Sequence, residues 1–123
     1  MEWLSLEAGP VSEYSSHGIH MTEAARLTVE GEFRVHVADF KPGGVLGRHP
    51  TRLWQLFHVV AGNGWVRGQD GQLQPIRAGQ TVMWSPGEYH ESGSDDGMSV
   101  VIAQASSRLP SGELPERSAS DVP

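Results

Sequence analysis

Two stretches decide how this chain reads. The first is Gly43-Gly44-Val45-Leu46-Gly47-Arg48-His49-Pro50-Thr51-Arg52-Leu53-Trp54-Gln55, closed by Gly62. The second is Gly79-Gln80-Thr81-Val82-Met83-Trp84-Ser85-Pro86-Gly87-Glu88-Tyr89-His90-Glu91-Ser92-Gly93-Ser94. In the first, five residues separate Gly43 from His49, and Thr51, Gln55 and Gly62 follow after one, three and six intervening residues. In the second, five residues separate Gly79 from Ser85, and Gly87, His90 and Ser94 follow after one, two and three. Side chains alternate along a strand, so positions 49 and 51 share a face. A third polar group after a bend and a fourth from a neighbouring hairpin can converge with them inside a barrel. Glycines stand where the chain turns sharply between strands.

Outside these stretches the chain reads as short strands and turns. Runs rich in β-branched and aromatic residues occupy 26–30, 32–40, 55–61, 64–68, 73–77, 80–84 and 98–105. Each has strand length, and most alternate in polarity. Gly62-Asn63-Gly64 and Asp70-Gly71 are hairpin-turn signals, because their residues tolerate positive φ. Many short strands at regular spacing predict an all-β sandwich or barrel. Only 12–25 offers a weak pattern for a short helix. The chain divides into an N-terminal segment over 1–25 (an edge strand or dimer arm), a barrel over 26–105, and a Ser-, Pro- and Glu-rich tail over 106–123 that reads as disordered.

Composition excludes several classes of function. The 123 residues suit one domain. The net charge is −6, and the basic residues are scattered singly. That argues against nucleic acid and anionic membranes as partners, since both need a basic face. No cysteine is present, which removes disulfides, thiolate metal sites and cysteine nucleophiles. No apolar run reaches membrane-helix length, and the start is acidic where a signal peptide needs bases, so a cytoplasmic protein is expected. There is no Walker loop, no dinucleotide fingerprint and no G-x-S-x-G elbow.

With its paired spacing, the chain resembles the cupin superfamily, whose motifs are G-x5-H-x-H-x3-E-x6-G and G-x5-P-x-G-x2-H-x3-N. Gly43, His49, Gly62, Gly79, Gly87 and His90 match in kind. Thr51 stands for the second histidine, Gln55 for the glutamate, Ser85 for the proline and Ser94 for the asparagine. The resemblance implies an antiparallel jelly-roll barrel, or double-stranded β-helix, with a central cavity, and a homodimer. It also implies a metal site in the cavity and a chemistry among oxygenation, isomerisation and decarboxylation.

Here that site is reduced. Thr51 is a poor ligand and Gln55 offers a neutral amide oxygen. His49, Gln55 and His90 are therefore the candidate ligands for Fe, Mn, Ni, Cu or Zn, and equally the candidate catalytic groups without one. Glu88 and Tyr89 are weaker candidates for a nearby acid. The expected pocket wall is Phe40, Thr51, Phe57 and either Met83 or Trp84, with Phe57 sharing Gln55's parity. His36 shares parity with Phe40 and is a further candidate for the cavity wall. His58 is expected to point away. Two functions follow: a small cupin enzyme of oxygenase, isomerase, cyclase or lyase type acting on a small organic substrate, or a non-catalytic cupin that binds or senses a small molecule.

Overall fold

The computed structural model describes residues 1–27 and 30–109. Its strands are β1 (Glu2–Leu4), β2 (Ala8–Val11), β3 (Ile19–Thr22), β4 (Phe33–Phe40), β5 (Gly44–Pro50), β6 (Trp54–Arg67), β7 (Gln74–Arg77), β8 (Thr81–Trp84), β9 (Tyr89–Ser94) and β10 (Met98–Ala105). All pairings are antiparallel, and the main path runs β1-β8-β6-β10-β4. The second half of β6 leaves this path to pair with β7 and β9, and β9 pairs with β5. A single bent strand thus links two walls that close over an interior.

Alternation explains which residues fill that interior. Met98, Val100 and Ile102 of β10 share a face, and they join Phe40, Phe57, Val59, Val66, Ile76, Val82 and Trp84 in the main core. Burying one such side chain stabilises by about 1.5–3 kcal/mol. The odd-numbered face of β10 places Ala103 and Ala105 outside the barrel. There they pack with Leu56 and Leu109, flanked by Leu4, Ala25 and Leu27. On the same outer side of β4, Phe33, Val35 and Val37 are exposed. No helix among the described residues is long and apolar enough to cross a membrane.

The structure departs from the sequence reading in several places. Gly62-Asn63-Gly64 is not a hairpin turn but a bend within β6. Gly62 takes φ +80°, and a Cβ there would overlap the Gly97 carbonyl, so glycine lets the strand pass close to its neighbour. The 12–25 segment holds only a 3-10 turn at Glu13–Ser15, followed by β3. β1 forms the edge of the main sheet by pairing with β8. Residues 106–109, read as the start of the tail, lie against the domain: Leu109 is fully buried and Arg108 pairs with Glu2 at 2.8 Å. Residues 110–123 of that tail, and 28–29 of the run at 26–30, lie outside the described residues.

Candidate functional site

His49 on β5 and His90 on β9 are direct cross-strand partners. A one-residue bulge between Leu46 and His49 sets that register. The two rings stand 4.4 Å apart, tilted by 56°. His90 is 4% exposed, whereas His49 is open to solvent. On its other side His90 lies over the Trp84 ring at 4.6 Å and 35°. Trp84 meets Phe57 edge-on at 5.5 Å, and Phe57 meets Phe40 edge-on at 6.3 Å. A continuous aromatic row therefore runs from the core to the exposed imidazole.

The hydrogen bonds fix where the ring protons sit. A carbonyl can only accept, so the Thr51 hydroxyl donates its one proton to the Glu88 carbonyl at 2.6 Å. Thr51 Oγ1 is left as an acceptor, and His90 Nδ1–H donates to it at 2.7 Å. His90 Nε2 is then bare in the neutral ring. The same reasoning applies to His49, whose Nδ1–H donates to the Gly47 carbonyl at 2.6 Å and leaves Nε2 bare. Thr51 is itself pinned: its N–H donates to the Glu88 carbonyl at 2.8 Å, and its carbonyl accepts from Gly87 N–H at 2.7 Å. The tight turn before β9 thereby holds the group that orients His90.

Gln55 completes the inner surface. It is buried, and its amide nitrogen lies 3.5 Å from His90 Nε2, a long contact. Its oxygen accepts from Gln104 Nε2 at 3.3 Å. Next to it in the sheet is Trp84, whose buried indole Nε1–H has no hydrogen-bond partner among the described residues. An unpaired buried donor costs roughly 1–3 kcal/mol and marks a place where an acceptor would be stabilising. Burial, followed by the neighbouring His49, pushes the His90 pKa down to about 4. His90 is therefore neutral at pH 7.

His49, Thr51, Gln55 and His90 are thus brought together, with Trp84, Phe57 and Phe40 behind them. Met83 is not part of this surface. It alternates with Trp84, pairs with Glu2 and Leu56, and faces the outer side of the sheet. Glu88 and Tyr89 do not supply a nearby acid either. Glu88 Oε1 accepts from Ser85 N–H at 3.1 Å, and its other oxygen pairs with the Met1 amine. Tyr89 is exposed under the Arg48 guanidinium, 5.4 Å from its ring centre. His58 sits on the outer face against Thr81 Oγ1 at 2.7 Å. Sequence reasoning missed Gln104 as a partner of Gln55. Register alone places it there, because Gln104 pairs with both Gln55 and Arg34.

The donors present do not make a four-ligand metal centre. Thr51 Oγ1 is engaged on both sides, and Gln55 turns its nitrogen rather than its oxygen towards His90. Among the described residues, no three His, Asp or Glu side chains stand where they could share an ion. What remains is a pair of imidazoles, each with Nδ1 anchored and Nε2 unprotonated in the neutral ring, His90 Nε2 facing the Gln55 amide at 3.5 Å.

No family model matches the chain. A segment of 55 residues is 38% identical to the (R)-mandelonitrile lyase of Granulicella tundricola, covering 45% of this chain and 42% of that protein. The match thus spans less than half the length of that curated relative. Among solved structures, an RmlC-like cupin from Shewanella frigidimarina aligns with a TM-score of 0.58 at 22% identity, over 63% of this chain and 68% of that one. A predicted oxalate decarboxylase from Thermotoga maritima aligns with a TM-score of 0.55 at 20% identity, over 67% of each chain. Together with the antiparallel double-walled barrel and the paired glycine–histidine spacing, these likenesses show that the chain has the cupin fold.

Proposed function

We propose that this small cupin is a lyase that works by proton transfer on a small hydroxyl-bearing substrate. The observation that carries the reading is the pair of anchored imidazoles with bare Nε2 atoms, one of them buried against Trp84 and Gln55. His90 Nε2 takes the proton of the substrate hydroxyl. The oxygen's electron pair forms a carbonyl, and the bond from the same carbon to its leaving group breaks. The leaving group departs with that bond's electron pair and receives the proton from the imidazolium. Burial disfavours a charged His90, so its protonated form is a stronger acid than free imidazolium and returns the proton readily, while the neutral ring is a correspondingly weaker base in the first transfer. The Gln55 amide beside His90 Nε2 is the donor placed for a substrate oxygen. The match to a mandelonitrile lyase supports this class, because the name of that protein describes the cleavage of a 2-hydroxynitrile.

The test is cleavage of a panel of 2-hydroxynitriles, including (R)-mandelonitrile, to aldehyde and cyanide. The wild type is expected to turn over at least one member, and His90→Gln to lose about 100-fold or more. Turnover unchanged in His90→Gln, or absent across the panel, contradicts the proposal. A non-catalytic binding cupin is the second reading. It is favoured by Thr51 and Gln55, neutral side chains at two positions of the motif where a histidine and a glutamate would stand. Saturable ligand binding without turnover would support it. Elemental analysis of untagged protein, before and after loading with Fe, Mn, Ni, Cu and Zn, tests the two-imidazole pair separately. Near-stoichiometric metal lost in His90→Ala would contradict a metal-free site.

A further inference from the structure

β4 and β5 follow one another through the turn at 41–43, yet β4 is bonded to β10 and β5 to β9. The two strands diverge, and a crevice of about 250 Å³ opens between them. Ala38, Phe40, Gly44, Val45 and Leu46 line it, and Asp39 and Lys41 complete the wall with opposite charges. The register of β4 against β10 pairs Arg34 with Gln104, His36 with Ile102, Ala38 with Val100 and Phe40 with Met98. The inner face of β4 therefore changes from polar at Arg34 and His36 to apolar at Ala38 and Phe40. β5 changes in the same direction, with His49 at one end and Leu46 and Val45 towards the other. Gly47 lies between them, and open space surrounds the position where its side chain would stand. Arg34 and His36 are exposed although their register places them on the inner face, so the barrel mouth opens at this polar end.

We infer that this crevice seats the apolar group of the substrate, with the reacting hydroxyl at the His49 end. The inference rests on the lyase reading and names its substrate class: neutral molecules with one aromatic or branched hydrocarbon group joined by a short linker to the carbon that bears the hydroxyl, since Leu46 stands one inward-facing pair, roughly 7 Å, along the ladder from His49. Volume limits the group. An apolar cavity of roughly 150 Å³ accepts benzene, so this space takes one substituted ring and not two. Charge limits it as well. Asp39 and Lys41 offset each other and the remaining lining is neutral, so nothing there compensates an ionic group.

Ligand-observed NMR titration of benzyl alcohol, with ethylene glycol as the hydroxyl-bearing control lacking an apolar group, tests the site without turnover. Benzyl alcohol is expected to bind saturably and ethylene glycol not to bind. Ala38→Leu, which fills the crevice, and Leu46→Asn, which makes its wall polar, should each weaken benzyl alcohol about tenfold. Leu46 is 42% exposed, so Leu46→Asn keeps the test valid if Ala38→Leu does not fold. No binding to the wild type, or wild-type affinity in both variants, overturns the inference. His90→Gln separates the two proposals. Binding kept within about threefold while turnover is lost supports both. Weakened binding in the crevice variants, with no turnover of any hydroxyl substrate by the wild type, supports the crevice and removes the lyase reading.

Discussion

The sheet β1-β8-β6-β10-β4 and the β5–β9 ladder form the two walls of one barrel, but they are built differently. The first supplies most of the core: Phe57, Val59, Val82, Trp84, Val100 and Ile102 are each under a tenth exposed. The second is polar and glycine-rich, with the sequences GVLGRHP and YHESGS. Its buried groups include His90, Ser92 and Ser94, and the side chains of His90 and Ser94 are hydrogen-bonded to Thr51 and to the Asn63 carbonyl. Ser94 Oγ, for example, accepts from Gly97 N–H at 2.8 Å and donates to the Asn63 carbonyl at 2.5 Å. The first wall carries most of the apolar core, and the second carries the two histidines of the candidate site. The two histidines repeat this contrast on a smaller scale, since one is buried against the apolar wall and the other faces solvent.

The comparison is broken most directly at Phe57. It touches both Phe40 and Trp84, and Phe57→Ala is expected to cost about 3–5 kcal/mol in urea denaturation. His90→Gln on the opposite wall should cost no more than about 1 kcal/mol at pH 7, because a polar group replaces a polar group. Equal losses would mean that the walls do not divide their roles in this way.

A pH series sharpens the same contrast. The folded-state pKa of His90 lies at about 4, below the ordinary histidine value of 6.5 that applies when the chain is unfolded. Between those values the unfolded chain binds the proton and the folded chain does not. The contribution is fully present above pH 6.5 and is lost as pH falls towards 4, to an extent on the order of 2–3 kcal/mol. Denaturation at pH 7 and at pH 4.5 should show a larger loss for the wild type than for His90→Gln. Identical losses would place the imidazole in a more solvated setting.

The smallest expected effect is at Thr51. Thr51→Val keeps the shape but leaves His90 Nδ1–H and the Glu88 carbonyl without their shared hydroxyl. Turnover should fall about tenfold, as expected when the ring loses its orienting partner, and Thr51→Ser should restore most of it. A Val variant as active as the wild type would show that the ring is oriented by Trp84 and His49 alone.

The two walls also differed in how far the sequence revealed them. β4, β8 and β10 were legible because β-branched and aromatic residues alternate within them and turn residues bound them. β5 and β9 were not legible as strands, since glycine, proline, serine and histidine carry little strand signal and their order comes from cross-strand hydrogen bonds. The positions of His49 and His90 were nevertheless legible through glycine–histidine spacing, which reports where the barrel must turn. The continuity of β6 through Gly62-Asn63-Gly64 was hidden because the same residues serve a hairpin turn or a bend. Only the partners across the fold decide between them. Thr51 looked like a lost ligand in the sequence. Its role as the acceptor that fixes the His90 tautomer depends on the Glu88 carbonyl, which no side-chain pattern encodes. Met83 and Trp84 are adjacent and alternate, so parity required that only one face inwards. Packing against His90 selects Trp84.

The proposed chemistry depends on His90 being a neutral, Nδ1-protonated imidazole with an unprotonated Nε2 at the inner surface. Nitrogen-15 NMR of histidine-labelled protein, with His90→Gln to assign the signal, tests it most directly. A neutral ring at pH 6 with the proton on Nδ1, and a titration midpoint of about 4, is expected. A charged His90 at pH 6, or a neutral ring with the proton on Nε2, would contradict it.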